Sequence, residues 1–519
     1  MPSHLLRSAR LIGALTLVSR VLGLARDMAV TNAFGVSSAA SAFWTAFQIP
    51  NLFRRLFGEG ALSAASIPVL TETASKAGKD AADRLAGRIL GLLLVILTGL
   101  CIVGEVAVAL LYWLFAEDTQ NALMLGLTAL MLPYMIFICA AAMLGGVQNV
   151  FERFASAAAA PLILNVFVIA AAVGGRWIGA TEARGVMLLG TAVVISGIFQ
   201  MAWHWAATRR IGLRLPLSLD IHDPAIRRIG LTMLPMVVGL ATVQFNTVAD
   251  ALIAWWFVPE EVMQPGGPGQ HVGPTILSLA QRLYQFPIGV FAIALATAIY
   301  PALSRHAAES DLAGLGRTLS RGIRIVSFEG LPSMVGLILI REPLVRLLFE
   351  HGKFTEWPEA ADRVSFALLM YALGIWAFGV NQLVVRAFYA LGDAKTPLGV
   401  SVRNVGLNLV LNLLLVHTFL REAGLALATT ICAVLQAAVL LYRFSRRGGH
   451  LEWAPTLRSI GRTAVATVIM AGAVAAVEHA LGAAPAVLAV PTLVVTGGIS
   501  FIGAARLIRC EELGEIMRR

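Results

Sequence analysis

"QFPIGVF", residues 285–291, decides the fold because it is a second occurrence: "QIPNLF" stands at 48–53, which puts Pro50 and Pro287 237 residues apart. Other pairs share nearly the same offset. "LFAED" at 114 is matched by "LFEHG" at 348, an offset of 234. "SIPVL" at 66 is matched by "IYPAL" at 299, so that Pro68 and Pro301 differ by 233. Pro161 in "APLILNV" and Pro397 in "TPLGVSV" differ by 236. One such match means little, because apolar helices resemble one another. Four in the same order at nearly one offset indicate an internal duplication.

The medium that this duplication lives in follows from composition. The chain has 519 residues, 58% hydrophobic and 13% charged, against about 25% charged in soluble domains; its mean hydropathy is +0.78. A polytopic, all-α membrane protein is expected. Hydropathy predicts about fourteen spans, centred roughly at 22, 54, 99, 133, 164, 196, 241, 288, 334, 376, 407, 432, 469 and 496. With the N-terminus in the cytoplasm, the inner segments hold 26 Lys and Arg and the outer segments seven. That bias places both termini on the cytoplasmic side and explains the net charge of +10 by topology, so no nucleic-acid partner is expected. The basic start "MPSHLLRSARLIGAL" runs on through Arg20 and Arg26 without a convincing cleavage site and reads as a retained first span.

The repeat carries span 1 onto span 7. Six spans are an even number, so the copies share one orientation, as in transporters whose bundles rock about a central site. The expected layout is therefore an N-terminal six-helix lobe (1–215), a parallel C-terminal six-helix lobe (216–450) and a central cavity. Two extra helices with a cytoplasmic tail (451–519) follow.

Seven basic residues fall in or at the edges of spans. Arg386 and Arg403 lie near the inner ends of theirs and can snorkel. Arg20, Arg26, Arg54, Arg55 and Arg282 lie too deep, where a guanidinium costs at least ~2.5–3.5 kcal/mol. In "SRVLGLARDMAV" (19–30), Gly13, Thr16, Asp27 and Thr31 fall within about 40° of Arg20 on a helical wheel. Arg26 is about 120° away, so either the cavity is wide or the helix bends at Gly23. After Pro50, the residues Asn51, Arg54, Arg55 and Gly58 follow i, i+3, i+4, i+7 spacing, and "SLAQRLYQFPIG" groups Gln281, Arg282 and Gln285. Acid partners are few: Asp27 for Arg20 or Arg26, and Glu59 for Arg55. The excess of five arginines over two acids points to an external anion, and guanidinium forks suit phosphate or pyrophosphate.

Other chemistries find little support. Four scattered cysteines suggest neither a disulfide framework nor a zinc site, nine histidines show no metal spacing, and no P-loop motif occurs. His204, between Trp203 and Trp205, reads as a membrane-interface residue. A membrane glycosyltransferase needs outer-surface carboxylates, yet the first outer loop, "GVSSAA", has none; Glu260 and Glu261 read as solvent-facing. No resident cofactor is expected. Asp250, one turn from Asn246 in span 7, is either a hydrogen-bonded carboxylate or the site of a coupling monovalent cation; membrane potential is the other candidate energy source. Glu105 and Glu329 lie in spans 3 and 9 without close sequence partners.

"SRVLGLARD", "FQIPNLFRRLFGEGALSAASIPVL", "RLYQFPIGVF" and "ALGDAKTPL" resemble the MurJ (MviN) lipid II flippases of the multidrug/oligosaccharidyl-lipid/polysaccharide exporter superfamily, over almost the whole chain. The resemblance implies a transporter, not an enzyme. It would move undecaprenyl-pyrophosphate-linked peptidoglycan precursor to the periplasmic leaflet by alternating access, among membrane lipids and cell-wall synthesis proteins. It also implies that Arg20, Arg26, Arg54 and Arg282 line a cavity between lobes and that the two extra helices shape a groove for the polyprenyl tail. The chain departs from many members at Ser41-Ala42-Phe43, where an acid precedes Ala-Phe, and at Gln281 and Gln285, where acids are common. An O-antigen-type flippase is the nearest alternative. A drug exporter is further away, lacking helices 13 and 14 and having no need of deep arginines.

Overall fold

The structure, a computed structural model, describes residues 2–58, 61–258, 271–482 and 484–517; the side chains of 2–14, 16, 58, 235, 238, 239, 242, 243 and 517 lie outside that description. Every regular element among the described residues is helical. Among the described residues, ten helices are long and apolar enough to cross a membrane, or eleven if the bent pair Ala360–Ala372 and Ile375–Ala390 counts as one span. The protein is a multi-pass membrane protein. Eleven of the fourteen expected centres lie in these segments, and those near 22, 54 and 241 lie on further helical stretches. Two of these three carry the charges Arg20, Arg26, Asp27, Arg54 and Arg55.

The chain divides into two compact units. The first comprises Met1–Trp255, Glu260–Thr275 and Gly352–Glu356. Its helices are α1 (Pro2–Phe34), α2 (Ser38–Phe53), α3 (Ala61–Ala77), α4 (Lys79–Phe115), α5 (Thr119–Met131), α6 (Tyr134–Val150), α7 (Ala155–Trp177), α8 (Glu182–Arg210) and α9 (Pro224–Phe257). Local chemistry sets their limits. Ser37 caps α2 by accepting from the Ala40 N–H at 3.2 Å, and Asp118 caps α5 through the Gln120 N–H at 2.9 Å. Pro133 sits at the break between α5 and α6. Past Pro50, which has no N–H, the second span widens into a π-helical turn, Arg54–Gly58. The i, i+3, i+4, i+7 register expected through Gly58 assumed 3.6 residues per turn, and the π-turn shifts it.

By contacts, the first unit runs on past residue 215 to Trp255. The reason is packing. Helix α9 buries Ile229 and Trp255 in the apolar core of the first unit, with Phe43, Leu97, Leu127 and Tyr134. Trp255 Nε1 also donates to Asn121 Oδ1 at 2.9 Å, and Arg228 pairs with Glu72 at 2.8 Å. The linker between α8 and α9 lies in a notch on α4. A Cβ on Gly87 would stand 2.2 Å from the Pro216 carbonyl oxygen, and one on Gly91 2.9 Å from that of Ser218. Asp83 accepts from the Arg214 and Leu215 N–H groups at 2.9 and 2.8 Å, which fixes the linker's register. The five-residue segment Gly352–Glu356 also belongs to this unit. Gly35, at φ +61°, would place a Cβ 2.6 Å from the Lys353 carbonyl oxygen, and Lys353 Nζ meets Glu182 at 2.6 Å.

The second unit comprises Trp256–Pro259, Ile276–His351 and Trp357–Arg519. It holds most of α10 (Gly273–Pro287), then a π-turn (Ile288–Ala292), α11 (Ile293–Ala308), α12 (Leu312–Phe349), α13 (Ala360–Ala372), α14 (Ile375–Ala390), α15 (Lys395–Leu415) and α16 (Glu422–Arg446). The added helices α17 (Trp453–Leu481) and α18 (Ala486–Leu507) pack on α12 through Phe328, Met470, Leu493 and Phe501. Features of the first unit recur. A π-turn follows a proline, here Pro287, and the stretch between α13 and α14 is bent by 40°. A notch glycine on α12, Gly316, lies under the linker after α16, where a Cβ would stand 2.2 Å from the His450 carbonyl oxygen.

Candidate functional site

Arg26 is only 7% exposed, and its neighbours account for how α1 tolerates it. Nε and Nη2 both donate to Asp27 Oδ1, at 3.0 and 2.7 Å, and Nη1 donates to Asn165 Oδ1 on α7 at 3.2 Å. The guanidinium carbon stands 5.8 Å from the Trp44 ring centroid on α2. Asn165 is oriented in turn, donating to the Ser19 carbonyl at 3.3 Å, and Thr31 Oγ1 donates to the Asp27 carbonyl at 2.7 Å. Desolvating two charges is costly, and removing one partner of such a pair costs about 3–5 kcal/mol. Of the two acid pairings considered for α1, the structure selects Arg26–Asp27. Arg20 is exposed on a continuous helix.

The π-turn carries the next two arginines. Arg54 Nε donates to Asn51 Oδ1 at 2.9 Å, and Arg55 Nη1 donates to Gln244 Oε1 on α9 at 3.0 Å. Both are half-buried. The expected partner Glu59 lies outside the described residues, as do Glu260 and Glu261, the surroundings of Gly13 and the side chain of Thr16. Helices α1, α2, α7 and α9 and the π-turn thus gather Arg26, Asp27, Asn51, Arg54 and Arg55 into the first unit. Arg282 and Gln285 belong to the second, both exposed on α10 just before Pro287. There Gln281 Nε2 donates to the Tyr371 hydroxyl at 3.0 Å, and Tyr371 stacks on Tyr284 with centroids 4.6 Å apart.

Asp250 is 4% exposed, with Asn246 Nδ2 3.5 Å from Oδ2, a long contact one helical turn away. It stands in no group of three or more His, Cys, Asp or Glu suited to a metal ion; none occurs among the described residues.

Sequence reasoning missed three partners: Asn165, Trp44 and Gln244. Asn165 had a signal, a single amide in an apolar helix. His204 corrects an expectation. It is no membrane-interface residue but 2% exposed, with Nδ1 3.2 Å from Gln148 Oε1, while Gln148 Nε2 donates to the His204 carbonyl and to Thr208 Oγ1 at 2.8 and 2.9 Å. Its flanking tryptophans marked the helix's rim, but the helix turns the imidazole inward.

The family model described as "Lipid II flippase MurJ" matches residues 30–495. A probable lipid II flippase MurJ of Vibrio cholerae is 32% identical over 483 residues, covering 91% of this chain and 88% of that protein. The chain belongs to the lipid II flippase MurJ family. A second MurJ relative, from Rhizobium tropici, is 31% identical and covers 90% of this chain and 86% of its own length. The lipid II flippase MurJ of Burkholderia cenocepacia is 29% identical, at 90% and 89%. Among solved structures, a MurJ in an inward closed conformation superposes with a TM-score of 0.78 at 21% identity, covering 96% of this chain and 98% of that one. A multidrug resistance MATE family transporter in an inward-facing conformation superposes at 0.68, with 15% identity and 85% and 98% coverage. These two establish the fold. The multidrug chain covers less of this one than the MurJ chain does.

Proposed function

We propose that this protein moves lipid II, the undecaprenyl-pyrophosphate-linked peptidoglycan precursor, from the cytoplasmic to the periplasmic leaflet. It does so by alternating access, in a bacterial cytoplasmic membrane with both termini in the cytoplasm. Membership of the MurJ family supports this, and the observation that carries it at residue level is the buried Arg26 of "SRVLGLARD". Asp27, Asn165 and Trp44 hold that guanidinium at a fixed place inside the spans, and Arg54 stands on a π-turn, where backbone irregularity often serves function. A pyrophosphate cannot cross hydrocarbon bare, whereas a polyprenyl chain can remain in lipid. Arg20, Arg26, Arg54 and Arg55 of the first unit and Arg282 of the second are the proposed anion-binding residues that meet that need. Asn51 and Asp27 of the first unit and Gln285 of the second are proposed as their polar company, and α17 and α18 as a groove for the tail. The work is transport, not bond chemistry, and cell-wall synthesis proteins that supply and consume lipid II are the expected neighbours.

The domain layout belongs to the same proposal: two six-helix lobes (1–215 and 216–450) derived from one ancestor, and an added pair (451–519). Asp250 with Asn246 is the proposed place of a coupling monovalent cation, membrane potential being the alternative drive. Proteoliposomes with labelled lipid II and, in parallel, an O-antigen-type sugar on the same polyprenyl pyrophosphate provide the test. Movement of lipid II well above the other substrate is expected. Equal movement of both would make the protein a general lipid-linked oligosaccharide flippase, and movement of neither would overturn the proposal.

A further inference from the structure

The linker between α8 and α9, residues 211–223, is apolar at alternate positions: Leu213, Leu215, Leu217, Leu219 and Ile221. Alternation in an extended chain keeps such residues on one face, yet here they divide. Leu213 and Leu215 are buried in the core of the first unit. Leu215 takes the left-handed conformation, φ +48°, and beyond it Leu217, Leu219 and Ile221 are each more than half exposed. The path along α4 shows what they face. Pro216 and Ser218 lie against Gly87 and Gly91. On a helical wheel Val95 and Ile102 fall within about 40° of Gly91, and both are more than half exposed. The linker thus crosses a face of α4 that is apolar and outward further along. Depth follows from helix length. Gly91 stands 24 residues before the end of α4 at Phe115, which is about 36 Å at ~1.5 Å per residue, against a hydrocarbon core of about 30 Å. Ser218 therefore lies at headgroup level, where outward Leu and Ile side chains reach the acyl boundary.

Basic side chains surround these residues. Arg209 and Arg210 end α8, Arg214 follows in the linker, and Arg227 lies in the first turn of α9. All four are exposed, and none joins an ion pair among the described residues. The neighbouring acids are engaged elsewhere. Arg88 pairs with Asp223 and stands 3.7 Å from Asp220, Glu72 pairs with Arg228 at 2.8 Å, and Asp83 accepts from the linker's own N–H groups. Arg209 lies over the Trp205 ring at 5.0 Å, a pairing of cation and amphipathic ring suited to a membrane interface. Apolar side chains turned outward beside unpaired guanidinium groups match a surface that is hydrocarbon below and anionic above, which is a phospholipid leaflet.

We infer that the 211–223 linker is a lipid-surface anchor: Leu217, Leu219 and Ile221 enter the acyl boundary, and Arg209, Arg210, Arg214 and Arg227 meet the phosphates of anionic phospholipids. The inference rests on the membrane-spanning fold and not on what is transported; only the naming of this leaflet as cytoplasmic depends on the topology proposed above. Spin labels on the full chain test it, at Leu219→Cys and, as a water-exposed control near the end of α3, at Ser75→Cys. Both are made in a background without the four native cysteines and placed in nanodiscs of phosphatidylcholine with or without phosphatidylglycerol. Collisions are measured with oxygen, which concentrates in lipid, and with a neutral nickel chelate, which stays in water. With phosphatidylglycerol, the ratio of oxygen to chelate collisions at residue 219 should exceed that at residue 75 severalfold. Omitting phosphatidylglycerol, or changing Arg209, Arg210 and Arg214 together to Gln, should lower the ratio at 219 severalfold. Equal ratios at 219 and 75 would overturn the inference, since the linker would then face water. Exclusion of both reagents from 219 would overturn it too, because a protein or a second copy would then cover the linker. A ratio that ignores both phosphatidylglycerol and the arginines would refute the anionic assignment. Should Leu219→Cys fail to accumulate, Ile221→Cys gives the same reading. Failure of the protein to move lipid II would leave every one of these outcomes readable.

Discussion

Asp27 takes two donors from one guanidinium, so the structural and functional roles of Arg26 can be separated. Asp27→Ala should lower stability by about 3–5 kcal/mol, because it leaves a buried charge without its acid. Adding Arg26→Met should restore the melting temperature in detergent but not complementation of a strain depleted of its own flippase. Recovery of both would make Arg26 purely structural. In the same strain, Arg54→Ala and Arg282→Ala should fail at normal membrane levels, Arg54→Lys should rescue in part because Lys lacks the fork, and Arg55→Ala should be milder than Arg54→Ala. Asp250→Asn should slow transport and remove its response to the coupling cation or to potential; unchanged sodium and potential titrations would leave Asp250 a structural carboxylate. The arginines were legible because a charge in an apolar run is rare. Asn165 and Gln244 were not, since a single amide says nothing about which helix it faces, and Trp44 looked like ordinary apolar filling.

Glycine notches make a sharper claim about helices. A methyl group on Gly87 or Gly316 would run into a linker carbonyl at 2.2 Å, whereas one on Gly99 meets nothing within 4 Å. Gly87→Ala and Gly316→Ala should therefore each cost about 1–3 kcal/mol in thermal unfolding, and Gly99→Ala should be neutral or slightly stabilising. Asp311 caps α12, and the hydrogen bond from the Gly314 N–H, at 2.7 Å, together with His306 at 3.0 Å, holds its carboxyl below the usual carboxylate range despite some burial. A lowered carboxyl adds stability above its ordinary value and loses it as pH falls through the lowered one. Amide exchange at the first turn of α12 should thus accelerate only below about pH 4, and Asp311→Asn should make it insensitive to pH in that range. Hydropathy located the helices well, and prolines marked where they falter. It did not reveal that Arg54 begins a π-turn, because the extra residue per turn depends on how the freed carbonyls are met. Here Cys139 Sγ, 3.5 Å from the Phe53 carbonyl, is one such partner, and it comes from another helix.

The division after Trp255 carries a prediction for the whole chain. A fragment ending at residue 258 should outlast one ending at 215 in a membrane pulse-chase, because only the longer fragment supplies Ile229 and Trp255 to the first core. Equal lifetimes would mean that α9 adds nothing to the stability of the first core. Repeat arithmetic counts helices and sees orientation, not contacts, so it could suggest a duplication without locating which neighbours α9 would choose. The segment Gly352–Glu356 goes further, since it completes the first unit from well inside the second half of the chain. During synthesis, residues 216 to 356 take about 7–30 s to emerge at ~5–20 residues per second. Throughout that interval the nascent first unit has Gly35 bare and Glu182 without its lysine, so maturation cannot proceed strictly from the N-terminus. The ribosome finishes the first half of this protein only while it is making the second.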